Sequence, residues 1–251
     1  MDVALVMLCA ALAAAVQSTV AFGFSLVFVP LATLLIGPRD AVVVSITLST
    51  VIATIIYLEH LPRARLRSVA PLAAAGIAAT PLGIVLLAVA DEQLLRLIVA
   101  AGVLAGVPTT LASEHRHEAS REPLPALIAA GLASGVLRGA TSFAGPPIVL
   151  YQHWVGGAPA ELRARLILYM VLIAVPGFGM AAGAGLVTQR VITLAGASLP
   201  IAVVGVLVGR VARTRFSAEW FRRASMAVLT ASALAAVAAA LPAVLGRAGG
   251  G

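Results

Sequence analysis

Gly139-Ala140-Thr141-Ser142-Phe143-Ala144-Gly145-Pro146 interrupts an apolar run that extends from Pro125 to Gly156. As helix, that run would reach about 48 Å, more than one crossing of a ~30 Å hydrocarbon core needs and too little for two. Two half-depth arms that enter and return on the same face fit the length. Glycine and proline at the centre are where regular helix gives way.

A second interrupted run lies near the start of the chain, where Ser18-Thr19-Val20-Ala21-Phe22-Gly23-Phe24-Ser25 breaks Val3–Ile36. Adding 121 to Phe22, Pro38 and Asp40 gives Phe143, Pro159 and Glu161, and adding 122 to Gly83 gives Gly205. Matched breaks in corresponding positions are the sequence sign of a chain built from repeats. Uninterrupted apolar spans follow each break: Ala41–Leu58, Val69–Ala90 and Leu94–Leu111, then Leu166–Gly185, Val191–Val208 and Ala224–Leu245. The expected organisation is a first transmembrane repeat over 1–112, a polar linker over 113–124 centred on Ser113–Glu122, and a second repeat over 125–251.

The composition requires a membrane. Hydrophobic residues make up 61% of the chain, charged residues only 11%, and the mean hydropathy is +1.06. A soluble domain carries about 25% charged residues. The net charge of +7 does not point to nucleic acid, because the arginines sit between apolar spans rather than on a polar domain.

All seventeen basic residues are arginine, and cytoplasmic loops hold the excess of such charge. If both broken runs cross once, nine arginines fall on one side and seven on the other, which is no bias. If Pro125–Gly156 returns to its own side, Arg63, Arg65, Arg67, Arg116, Arg121, Arg163, Arg165 and the five from Arg210 to Arg223 share a face, twelve against four. Arg39, Arg96, Arg190 and Arg247 lie opposite, and Arg138 stays inside. By analogy the first break enters from the other face. The fold class is therefore an all-α integral membrane protein of two homologous halves, each a re-entrant hairpin plus three transmembrane helices, arranged as inverted-topology repeats. No Lys or Arg precedes the first apolar run, which is read as part of the mature protein.

At a hairpin tip the second arm begins with unpaired backbone N–H groups and the positive end of a helix dipole, a setting suited to an anion. Gln17, Ser18, Thr19 and Ser25 supply polar groups at the first tip, and Thr141 and Ser142 at the second. Gly23, Gly139 and Gly145 allow close backbone approach, with Phe22, Phe24 and Phe143 beside them. Small and hydroxyl residues also pack helices against one another in lipid, so each has a plain structural reading as well.

Arg138 is the sharpest signal, because a charge inside an apolar span costs at least ~2.5 to 3.5 kcal/mol and marks a substrate path or a partner. No span interior carries an acid to pair with it; Glu59 and Glu161 sit at span ends. A bound anion would supply the missing charge, and the competing reading is that Arg138 snorkels or satisfies carbonyls at the break. The same lack of intramembrane carboxylates argues against sites that bind a coupling cation through Asp or Glu.

Other residues read as structural. His60, His115, His117 and His153 lie at boundaries or in the linker, and Tyr57, Trp154 and Trp220 lie near span ends as interfacial anchors. Gly102-x-x-x-Gly106 and Gly205-x-x-x-Gly209 have helix-packing spacing. Cys9 is a lone cysteine, so no intrachain disulfide is expected. Nothing resembles a phosphate loop, a zinc motif or a nucleophile constellation, so no enzyme activity, metal or cofactor is expected.

Phe22-Gly23-Phe24-Ser25-Leu26 through Pro30-Leu31, then Gly139 to Gly145-Pro146-Pro147 and Tyr151, resemble the TauE/SafE sulfite exporter family nearly end to end. The resemblance implies movement of sulfite or an organosulfonate such as sulfoacetate across the cytoplasmic (inner) membrane, by a multi-pass exporter. Many members carry more glycine where this chain has Phe24-Ser25 and Thr141–Ala144, a difference that bears on substrate identity. The expected mechanism is alternating access at a mid-membrane anion site, with Arg138 neutralising the anion and Phe22 and Phe143 as gates. An anion channel built from the same residues, and a membrane assembly subunit without a transport path, are the alternatives. The expected partners are a small inorganic or organosulfonate anion and the lipid bilayer, with no nucleic acid; a homo-oligomer is compatible with the reading.

Overall fold

The structure, a computed structural model, describes residues 2–20, 22–60, 66–111, 123–156 and 158–215. The linker Ser113–Glu122, the last expected span Ala224–Leu245, and Trp220 lie outside them, as do Arg63, Arg65, Arg116, Arg121, Arg222, Arg223 and Arg247. The described residues form helices joined by short non-helical segments, in the order α1 Asp2–Val20, α2 Phe24–Ile36, α3 Pro38–His60, α4 Leu66–Val89, α5 Glu92–Leu111, α6 Leu124–Thr141, α7 Gly145–Val155, α8 Pro159–Gly183 and α9 Gln189–Arg215. Five of these, α3, α4, α6, α8 and α9, are long and apolar enough to cross a membrane. Leu82, Val85 and Val89 on α4 and Leu207 and Val208 on α9 are exposed, the surface a helix presents to lipid rather than water.

Helix starts and stops follow local chemistry. α3 and α8 each open on proline at a position that needs no N–H, with Asp40 and Glu161 in their first turns. α8 begins seven residues before the expected apolar span, because Glu161 and Arg165, four apart and 3.1 Å from each other, extend the helix into the polar boundary.

Both expected breaks are present, and each divides its run unevenly. The first arms are the long ones: α1 has 19 residues and α6 has 18, whereas the return arms α2 and α7 have 13 and 11. At 1.5 Å per residue the first arms reach about 27 Å and the return arms about 16–20 Å. This corrects the expectation of two half-depth arms; α6 is long enough to cross by itself. The reason lies in where the break falls, past the middle of each run.

Glycine sets the two longest helix contacts. α6 lies on α4 with Gly135 against Gly76, so closely that a Cβ on Gly135 would stand 2.1 Å from the Gly76 carbonyl oxygen. Gly131 meets Leu72 and Gly139 meets Thr80 and Gly83 in the same direction, so the two helices run parallel. α9 packs along α1 in the same manner, Gly205 on Ala11 and Gly209 on Ala15 and Ser18. The Gly205–Gly209 spacing is thus a packing stripe, whereas Gly102 receives the ring of Phe143.

Contacts at the helix ends give the chain's path. Val3 at the start of α1, Leu35 and Ile36 at the end of α2, and Gln189 and Arg190 at the start of α9 line one crevice. The chain has therefore doubled back across the first break. Arg190 pairs with Asp40 at 3.0 Å, and Arg39 donates to the Ala90 carbonyl at 2.9 Å, bringing the start of α3 and the end of α4 to the same end of the bundle. Arg210 and Glu59, 3.8 Å apart, join the far ends of α9 and α3 at the opposite end. α6, parallel to α4, starts at that opposite end, and α7 stops at Val155, just before α8 sets out from there towards the start of α9. Across the middle, α3 packs on α8, α4 on α8 and α3 on α9.

Candidate functional site

The two breaks meet. Each break holds a left-handed residue: Gly23 has φ +100° at the head of α2, and Ser142 has φ +67° at the end of α6. Glycine occupies that region freely, but for serine it is strained. Strain of this kind persists where surrounding structure holds it. Ser142 is held by its N–H bond to the Arg138 carbonyl at 2.9 Å and by its hydroxyl, 2.9 Å from that of Ser25 at the other break.

Between the breaks lies a cavity of about 30 Å³, room for about one or two waters. Nine of the thirteen expected site residues line it: Gln17, Phe22, Gly23, Phe24, Ser25, Arg138, Ser142, Phe143 and Gly145. Ser18, Thr19, Gly139 and Thr141 do not. The hydroxyls of Ser18 and Thr19 return to the Ala15 carbonyl, that of Thr141 bonds the Leu137 carbonyl at 2.8 Å, and Gly139 serves the α4–α6 contact.

Arg138 is 4% exposed and makes no ion pair among the described residues. Its Nη1 donates to Ser49 Oγ at 3.0 Å and its Nη2 to Thr50 Oγ1 at 3.2 Å, both on α3, while Nε has no partner. Gln17 Oε1 is also buried without a partner. Neutral hydroxyls fix the guanidinium's position but leave its charge uncompensated, which in a low-dielectric interior is costly unless an anion joins it.

The backbone donors are unequal at the two breaks. After the first, Phe24, Ser25 and Leu26 head α2, ahead of the first helical bond from Val27 N–H to the Gly23 carbonyl. After the second, Pro146 and Pro147 have no N–H, and the N–H groups of Ser142, Phe143 and Ala144 already bond the carbonyls of Arg138, Leu137 and Ser142. Gly145 is the backbone donor left there for a ligand, so the unpaired N–H groups expected where the second arm begins come down to one at this break.

Sequence reasoning missed the part played by α3 and α8. Ser45, Ser49 and Thr50 on α3 form the wall facing both breaks. Their signal was a hydroxyl series in an apolar span, with Ser45 and Ser49 four apart on one face. From α8, Tyr169 donates to Ser134 Oγ at 2.7 Å and Ser134 in turn to the Ala144 carbonyl, bracing the second break from behind. Arg163 donates to the carbonyls of Ser18 and Thr19, bracing the first. Phe22 lies on Gly145 and Phe143 on Gly102, so each ring is wedged against a residue without a side chain. No group of His, Cys, Asp and Glu able to hold a metal occurs among the described residues.

No curated protein and no solved structure matches the chain. The family described as Sulfite exporter TauE/SafE matches it over residues 6–236, almost its whole length and both breaks. That is a family of membrane transporters, not of enzymes. With a multi-pass helical bundle and a buried cationic cavity between two breaks, the chain belongs to the TauE/SafE sulfite exporter family.

Proposed function

We propose that this protein is a secondary transporter that carries sulfite or a small organosulfonate out across the cytoplasmic membrane, by alternating access to the cavity between the two breaks. The observation that carries the reading is Arg138, a buried cation on the cavity wall with hydroxyl partners and no carboxylate. An oxyanion there receives charge from Arg138, N–H groups from the start of α2 and hydroxyls from Ser25 and Ser142. Gln17, which also lines the cavity, offers its amide N–H groups, and Phe22 and Phe143 act as gates.

Two features support alternation over a standing pore. The cavity is too small for a four-atom anion plus its contacts, so a loaded state needs the breaks to part. The bundle also pairs in a two-fold manner: α1 with α9 matches α6 with α4, and α3 on α9 matches α8 on α4. Opposed doubling-back at the two breaks supports reading the halves as inverted repeats, a design in which one half exchanges roles with the other.

The test is uptake of labelled sulfite into proteoliposomes, wild type against Arg138→Gln, with sulfoacetate, taurine and sulfate as competitors. Saturable flux with counterflow that is lost in folded Arg138→Gln is the expected result. Flux unchanged by Arg138→Gln removes the arginine from the site, and flux without saturation or counterflow indicates a channel.

A further inference from the structure

Three hydroxyls from three elements close a triangle at the edge of the cavity. Ser45 Oγ on α3 lies 3.0 Å from Ser25 Oγ and 3.1 Å from Ser142 Oγ, and those two are 2.9 Å apart. Ser45 is completely buried and reaches the cavity only through the other two, which line it. A serine hydroxyl has one proton to give and two lone pairs to receive. Ser45 has one proton for the two bonds in which it is the donor, and Ser25 and Ser142 share a third, so one hydroxyl of that pair keeps a proton for the cavity.

That spare proton makes the ring a store of donors. When an acceptor enters the cavity, Ser25 and Ser142 turn their protons to it. Ser45 then donates to one of them, polarising that hydroxyl and keeping its proton pointed at the ligand. Small apolar residues would pack the same place without the cost of desolvating three hydroxyls.

The second donor group lies one turn away. Ser45 and Ser49 share a face of α3 about 6 Å apart along the axis, and Ser49 carries the guanidinium of Arg138. The ring and the guanidinium thus stand on separate turns of α3. An anion with several oxygens on one centre gives each donor its own acceptor atom, whereas a halide has one atom for them all.

Building on the proposed transport of sulfur oxyanions, we infer that the Ser25–Ser45–Ser142 ring makes the site selective for the three-oxygen face of a sulfite or sulfonate over halides, with Ser45 as a positioning residue that never touches the substrate.

The test uses full-length protein in proteoliposomes, with sulfite uptake as reporter and methanesulfonate and chloride as competitors. In the wild type methanesulfonate competes far better than chloride. Ser45→Ala lowers that preference about tenfold, equivalent to about 1.4 kcal/mol, and Ser45→Thr, which keeps a hydroxyl, restores most of it. A purely packing role for Ser45 weakens both competitors equally, so an unchanged preference in folded Ser45→Ala overturns the inference while leaving the transport reading standing. If Ser45→Ala does not yield folded protein, Ser25→Ala is read by the same ratio with the same expectation. Wild type without saturable sulfite uptake overturns the transport reading and the ring together.

Discussion

Arg163, in the second turn of α8, places its Nη2 3.2 Å from the carbonyl oxygen of Ser18 in the last turn of α1. Its Nη1 bonds the neighbouring Thr19 carbonyl. The contact bears on the electrostatics of the first break. There the negative end of α1 faces the positive end of α2, and two opposed dipole ends cancel unless one is neutralised. Arg163 neutralises the negative end from outside the cavity, leaving the start of α2 attractive to an anion. At the second break Arg138, in the last turn of α6, stands at the corresponding negative end.

Arg163→Gln is accordingly expected to raise the sulfite KM several-fold and to lower stability by about 1–2 kcal/mol, the upper range for a partly buried cation at a helix C-terminus. Arg163→Lys retains the charge and recovers most of the KM effect. Transport kinetics and thermal unfolding in detergent measure the two terms, and an unaltered KM in Arg163→Gln would mean that the arginine is only a cap.

The glycine contacts separate into those that admit a side chain and those that do not. Gly135→Val drives a branched side chain into the Gly76 backbone and is expected to prevent recovery of monodisperse protein on size-exclusion chromatography. Gly196 has nothing within 4 Å of a Cβ. Gly196→Ala is expected to fold normally and to gain up to about 1 kcal/mol from helix propensity. Equal yields of the two variants would contradict the close α4–α6 packing.

Ser142 combines a strained backbone with a hydroxyl in the ring, and substitution uncouples them. Ser142→Gly relieves the left-handed strain, worth about 1 kcal/mol, but deletes one ring hydroxyl. The expected outcome is a melting temperature at or above that of the wild type together with a higher sulfite KM. A variant that loses stability and keeps its KM would place the value of Ser142 in the fold rather than the site.

The path of the chain is tested with single cysteines in a Cys9→Ala background. Arg39→Cys and Arg210→Cys lie at opposite ends of the bundle. A membrane-impermeant maleimide applied to intact cells is expected to label position 39 and leave position 210 unlabelled until the cells are opened, because the positive-inside rule assigns the arginine-rich end to the cytoplasm. Labelling of both positions from outside would refute the doubled-back path.

How far the residues spoke for themselves follows from the range of each interaction. Helix positions, the two breaks and the burial of Arg138 were legible, because apolar run length, Gly–Pro interruption and a charge in an apolar span are local properties. The uneven arms were less so: total length constrains a hairpin, but the position of its turn depends on where left-handed residues are tolerated, here Gly23 and Ser142. Within the site, Ser18, Thr19 and Thr141 carried the right chemistry but turn their hydroxyls to their own helix carbonyls. Rotation about the helix axis decides between carbonyl and cavity, and composition does not record it.

By itself the sequence determined that this is a multi-pass helical membrane protein with two matched interruptions and one uncompensated internal cation. Bilayer thickness and the cost of burying charge act on each stretch of chain independently of its neighbours. Only the tertiary structure decided that Ser25, Ser45 and Ser142, drawn from three elements, close into one ring, and that α3 and α8 supply the walls and braces of the site. Those hydroxyls are separated by up to 117 residues along the chain. They meet because glycine surfaces let α1 approach α9 and α6 approach α4 at backbone distance, a pairing that depends on shape and has no counterpart in local hydropathy.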